Sequence, residues 1–289
     1  MIKIANASGF WGDSPDAAAR LLAQQPDLDF ITLDYLAEVS LSIMAIVRAK
    51  DPSAGYARDF VDVVRSLIPF YRAGGRTRLV TANLSHLRLA VVTGDDVLPL
   101  LRSSSDASAF ANLETAAPLS TIAPRLVTAN AYVGARAIAD ALLAGADIVI
   151  TGRVADPSLT VSPCLAHFGW RDTDYDALAG ATVAGHLIEC GTQACGGFST
   201  DWLDLPAPGD IGSPIVEVSA DGSCVLTKPA GTGGAVTLNT VKEQLLYEIG
   251  DPGNYLSPDV TVSFLTLRLE QLAENRVRIS GATGRPPPP

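Results

Sequence analysis

From residue 2 to about residue 200 the chain repeats one order: a short apolar run, a polar exit, then a stretch with helical periodicity. Residues 2–5 read as a first strand, with residues 6–13 as a Gly-containing loop at its end. Ser14-Pro15 then opens a helix to about Gln25, with proline at the first helical position behind a serine cap. Residues 28–33 form a second strand that ends in the polar residues Asp34, Tyr35 and Glu38. Amphipathic stretches at 39–50 and 57–72 follow, interrupted at Pro52. Residues 78–82 and 87–93 read as third and fourth strands, and residues 146–150 as a fifth, entered from an Ala-rich helical pattern at 131–144. Strands alternating with helices of this length predict βαβ units, so the expected fold class is α/β, with a largely parallel sheet flanked by helices.

From residue 215 the pattern changes. Residues 215–219 and 224–227 flank Ala220-Asp221-Gly222, an Asp-Gly hairpin signal. A Gly-rich segment at 228–234, a helix over 239–249 and a second hairpin from 260–269 and 277–280 complete a smaller, partly antiparallel C-terminal region. The expected division is 1–200 as the α/β domain carrying the site and 201–289 as a hairpin-and-helix region packed on it, ending in a Pro-rich tail.

Candidate chemistry gathers at the strand exits, the edge where open α/β sheets build their sites. After the 146–150 strand come Thr151, Arg153, Asp156 and Ser158, a guanidinium and a carboxylate between hydroxyls. Arg suits a carboxylate or phosphate because its fork binds two oxygens, and a structural pair with Asp156 is the competing reading. A helix over 173–190, with Asp174 or Thr173 as its cap and weakened by Gly180 and Gly185, carries His186, Glu189 and Cys190 at i, i+3 and i+4 on one face. That trio fits a packed helix end, acid/base work or a metal site. Metal is the weakest of the three, because the chain has three histidines and no C-x-x-C pair. The expected catalytic set is His186, Glu189, Asp156 and Asp95, with no metal assigned. Asn6, Asp34 and Arg153 are the expected substrate contacts. Lys228 with Gly231, Gly233 and Gly234 forms a candidate anion loop before a helix, and a turn that binds nothing is the alternative.

Composition narrows the classes of function. The 289 residues are 47% hydrophobic and carry a net charge of −10, and no basic stripe for gripping nucleic acid is present. The longest apolar runs fall far short of the roughly 20 residues a membrane-crossing helix needs, and the start of the chain lacks a signal-peptide pattern. Four cysteines are too few for a disulfide framework at this length, which suits a cytoplasmic location. Inert buried thiols are the expected state. The expected partner is a small anionic molecule, without nucleic acid or membrane, and the chain is a candidate homo-oligomer.

Six segments taken in order resemble the acyclic terpene utilisation (AtuA) family: residues 5–13, 33–38, 92–96, 151–158, 185–191, and 228–234 together with 243–248. The resemblance spans nearly the whole chain. It implies a place in the catabolism of acyclic terpenes through CoA thioesters, and acid/base chemistry on a carboxylate or a CoA thioester is what the residues at the strand exits suggest. A lyase or hydratase type of step is the expectation, with CoA entering as part of the substrate. A non-catalytic binding or scaffold subunit remains the alternative. Two departures stand out. The family's Gly-rich exit and helix after the third strand are replaced by Asn83-Leu84-Ser85-His86, too short for a parallel crossover, so one flank of the cleft is expected to lack its cover. The chain also stops near Arg285, where the family pattern continues.

Overall fold

The computed structural model describes residues 1–35, 37–72, 88–104 and 110–288, with no side-chain description for residues 37, 38 and 72. The elements in order are β1 (Ile2–Ser8), α1 (Ala17–Gln24), β2 (Phe30–Leu33), α2 (Ala37–Lys50), α3 (Asp59–Arg72), β3 (Leu89–Val92), α4 (Leu98–Ser103), α5 (Arg136–Leu143), β4 (Ile148–Thr151), α6 (Ser158–Phe168), α7 (Tyr175–Ile188), β5 (Ile215–Val218), β6 (Cys224–Thr227), α8 (Leu238–Leu246), β7 (Tyr255–Leu256), β8 (Thr261–Ser263), β9 (Arg268–Ala273), β10 (Arg276–Ser280) and β11 (Thr283–Arg285). The expected third strand and the short link after Ala82 lie outside the described residues, as does the argument for an uncovered flank there.

The largest sheet runs β2-β1-β5-β6-β10-β9. Among the described residues only β1 and β2 pair in parallel within it, Ile4 opposite Phe30 and Asn6 opposite Thr32. The other four pairings are antiparallel. The expectation of a largely parallel sheet is therefore corrected to a mixed α/β fold with a mostly antiparallel main sheet. The physical reason lies in the turns. Asp221-Gly222 closes β5 onto β6 as a tight hairpin, and β9 and β10 close in the same way through Glu274-Asn275, with Asn275 in the left-handed region. Such connections give antiparallel neighbours, whereas the parallel order needs a crossover. β5 then lies against β1, so residues beyond 200 complete a sheet that the first strand began. The remaining parallel pair, β3 with β4, stands as a separate two-stranded sheet, and β11-β8-β7 form a third, antiparallel one.

Helix α7 is the centre of the main core. Every residue from Leu178 to Ile188 is buried. Its sequence, YDALAGATVAGHLI, is mostly small, so neighbours close in on all sides of the helix. The two glycines sit where backbones meet: a Cβ on Gly180 would stand 2.2 Å from the Gly222 carbonyl oxygen, and one on Gly185 would stand 2.7 Å from Pro157 Cα. These approaches offset the roughly 1 kcal/mol that each glycine costs a helix. Leu178, Leu187 and Ile188 pack with Ile2, Ile4, Val216, Val218, Leu226 and Val262 in one continuous cluster. Each such side chain contributes about 1.5–3 kcal/mol by leaving water. The consequence for function is a rigid helix whose C-terminal turn is delivered to the ends of β1 and β2.

Candidate functional site

Parallel strands β1 and β2 finish at one edge, where the Asp34 amide donates to the Ser8 carbonyl at 2.8 Å. Asn6, 1% exposed, reaches from β1 to the end of α7. Its side-chain amide donates to the carbonyls of Ile188 and Glu189, both at 2.8 Å. Those carbonyls belong to the last helical turn, which has no further helical N–H to accept from. Gly9, just beyond β1, lies so close that a Cβ there would stand 2.8 Å from the Glu189 carbonyl oxygen. Strand end and helix end are thus fastened together by backbone contact.

Arg153, beyond β4, is 7% exposed in its side chain and stands between two carboxylates, Asp156 at 2.6 Å and Asp34 at 3.9 Å. The Tyr132 ring lies 4.6 Å from its guanidinium carbon, a cation–π contact. Asp34 also acts on Asp156, both by its charge and by a hydrogen bond that favours the protonated Asp156 carboxyl. Burial first, then the Asp34 charge, push Asp156 up to about 8 against the pull of Arg153. The competing reading of a structural Arg153–Asp156 pair matches this geometry, with Asp34 as a third member.

On the helix side, Glu189 Oε1 lies 2.7 Å from His186 Nδ1, and the Gln244 backbone carbonyl lies 2.8 Å from His186 Nε2. His186 is 1% exposed, and the aromatic rings of Tyr255 and Phe264 flank it. Burial raises the Glu189 carboxyl above the ordinary range against the pull of His186, and the Asp34 and Glu248 charges add to the rise. The Glu189 charge also adds to the rise at Asp156. Asn6, Asp34, Arg153, Asp156, His186 and Glu189 therefore form one connected cluster.

The other expected residues stand elsewhere. Asp95 Oδ2 accepts from the Arg153 amide at 2.9 Å and from the Asn130 side chain at 2.7 Å, so it holds the backbone of Arg153. Lys228 is buried and folds onto its own loop, donating to the Thr232 carbonyl at 2.7 Å. The Gly233 and Gly234 amides donate to the carbonyls of Asp210 and Pro206, both at 2.7 Å, and a Cβ on Gly233 would stand 2.0 Å from the Ala207 carbonyl oxygen. Those two amides are spent on packing rather than turned to an anion. Gly231 has open space beside it and a φ of +77°. The four thiols are free, and burial pushes Cys190, Cys195 and Cys224 up to about 12 and Cys164 higher still, which disfavours a thiolate nucleophile.

Sequence reasoning missed Gln244, Tyr255 and Tyr132. Gln244 lies within the 243–248 segment that carries the family resemblance, whereas nothing local marks Tyr132 or Tyr255, which reach the cluster through tertiary contact. Among the described residues no group of three or more His, Cys, Asp or Glu side chains is arranged to hold a metal ion, and no helix is long and apolar enough to cross a membrane.

The fold and site define an α/β protein with a buried acid–base cluster at the end of a parallel strand pair. The chain belongs to the acyclic terpene utilisation family AtuA, whose model matches residues 2–83 and 75–289. The two matches overlap at residues 75–83. No curated protein and no solved structure matches this chain.

Proposed function

We propose that this chain is an enzyme of acyclic terpene or branched-chain acyl catabolism that moves a proton on a carboxylate or CoA-thioester substrate. The observation that carries the reading is the buried Arg153 held between Asp34 and Asp156, where burial and the Asp34 charge push Asp156 up to about 8. Groups poised near the working pH suit general acid/base catalysis, and burial and nearby like charge are what bring a carboxyl into that range. Substrate context comes from the family; the reaction class comes from the cluster. Because Arg153 is engaged by Asp34 and Asp156, the anionic end of such a substrate would be held away from the buried carboxyls and its acyl part would enter among them.

The test is deuterium exchange. Branched, unsaturated acyl-CoA thioesters and their free acids are incubated with the purified chain in D2O and examined by mass spectrometry. Deuterium gain or water addition that is lost in Asp156→Asn supports the reading. Retention of a thioester in native mass spectrometry without any exchange would favour the binding or scaffold alternative.

A further inference from the structure

The two ring nitrogens of His186 are both occupied, and by different kinds of partner. A backbone carbonyl can only accept, so Nε2, 2.8 Å from the Gln244 carbonyl, carries a proton. Nδ1 faces Glu189 Oε1 at 2.7 Å, so one proton is shared between imidazole and carboxyl. Gln244 closes the arrangement from the other side, its side-chain amide donating to the His186 carbonyl at 2.9 Å. With Tyr255 and Phe264 against the ring, the imidazole has no nitrogen left for a substrate. Glu189 differs. Its side chain is 9% exposed, and its second oxygen, Oε2, is buried with no hydrogen-bond partner among the described residues. A buried carboxyl oxygen without a partner costs about 1–3 kcal/mol, and such a cost is kept where a ligand supplies the missing bond.

We propose that Glu189, rather than His186, exchanges protons with the substrate, and that His186 and Gln244 are positioning residues that hold it. The assignment rests on the acid/base reading given above and names its working atom. While the shared proton sits on Nδ1, Glu189 is a carboxylate, and Oε2 accepts a proton from a substrate C–H or O–H. The same oxygen gives that proton back to the product, so a turnover gains none. The charged and titratable groups facing Glu189 are His186 on its own helix, Asp34 and Asp156 at the strand exits, Glu248 beyond α8, and the neighbouring Cys190 and Tyr255. The negative neighbours favour the protonated carboxyl, and His186 opposes them, which keeps Glu189 able to act in both directions.

Two measurements on the full chain test this. Long-range 1H–15N correlation spectra of the histidine rings read the tautomer without any substrate. The expected result is an Nε2 that keeps its proton across the pH range and an Nδ1 whose shift follows Glu189. That shift should vanish in Glu189→Gln, while Gln244→Ala, which retains the backbone carbonyl, should keep the Nε2 proton. An Nδ1–H tautomer, or an Nε2 that titrates, overturns the assignment. The second measurement is deuterium exchange in the variants: Glu189→Gln should abolish it, whereas His186→Gln should slow it and displace its pH profile. The reverse order of severity overturns the assignment. Since the spectra need no turnover, a chain that exchanges no deuterium removes the catalytic reading while the ring protonation is still decided separately.

Discussion

The Asn6 side chain donates to the backbone carbonyl of Glu189 at 2.8 Å, joining the end of the first strand to the end of a buried helix 183 residues later. With its second bond to the Ile188 carbonyl, this amide fixes the height of the Glu189 carboxyl relative to Asp34. Asn6→Ala is expected to cost about 2–3 kcal/mol for two lost bonds in a dry site. Asn6→Asp should cost more, because a carboxylate would face two carbonyl oxygens. Denaturant unfolding of the two variants checks the order, and an Asp variant as stable as wild type would refute the role.

Arg153 is the cation of the acid pair. Arg153→Met should destabilise the fold by about 3–5 kcal/mol at neutral pH, because the Asp34 charge loses its counter-charge in a buried place while Asp156 still largely holds its proton. The loss should shrink as the solution is acidified and the carboxyls neutralise. Equal destabilisation at acid and neutral pH would mean that packing of the side chain, not its charge, is what matters.

Asp156 predicts a pH dependence of stability. Its folded value is raised from 3.8 to about 8, so between those values the folded chain binds a proton that the unfolded chain does not. Its contribution is complete below about pH 4 and falls as pH rises toward about 8. Glu189 is raised as well and acts in the same direction. Asp156→Asn should flatten the decline and make the variant more stable than wild type in mild alkali. Melting temperatures taken across that range test it; parallel curves for the two proteins would contradict the raised carboxyl.

Gly185 predicts the cost of filling the α6–α7 contact. Alanine gains about 1 kcal/mol in helix propensity, but its methyl would stand 2.7 Å from Pro157 Cα and 2.8 Å from the Pro157 carbonyl oxygen. Overpacking against backbone costs about 1–3 kcal/mol, so the net effect of Gly185→Ala should be a loss. Because Pro157 follows Asp156, exchange activity should fall as well. A stabilised, fully active variant would show that this approach carries no constraint.

What the chain declares locally, it declares well. The apolar runs at β1, β2 and β4 and the Ala-rich pattern of α7 are visible as periodicities, and the polar residues behind each strand mark the edge where Asn6, Asp34, Arg153 and Asp156 meet. The Asp221-Gly222 turn is equally legible, since few residues accept its backbone. Sheet order is another matter: an apolar strand can pair on either side, and only the packed structure decides that β5 lies against β1 and turns the main sheet mostly antiparallel. The glycines of α7 read as weaknesses in isolation and become contacts only when Gly222 and Pro157 arrive. Likewise, i and i+3 spacing places His186 beside Glu189, but which of the two keeps an unpartnered atom is decided by tertiary structure. The Gln244 carbonyl, 58 residues away in sequence, occupies the remaining ring nitrogen and leaves the free oxygen on Glu189.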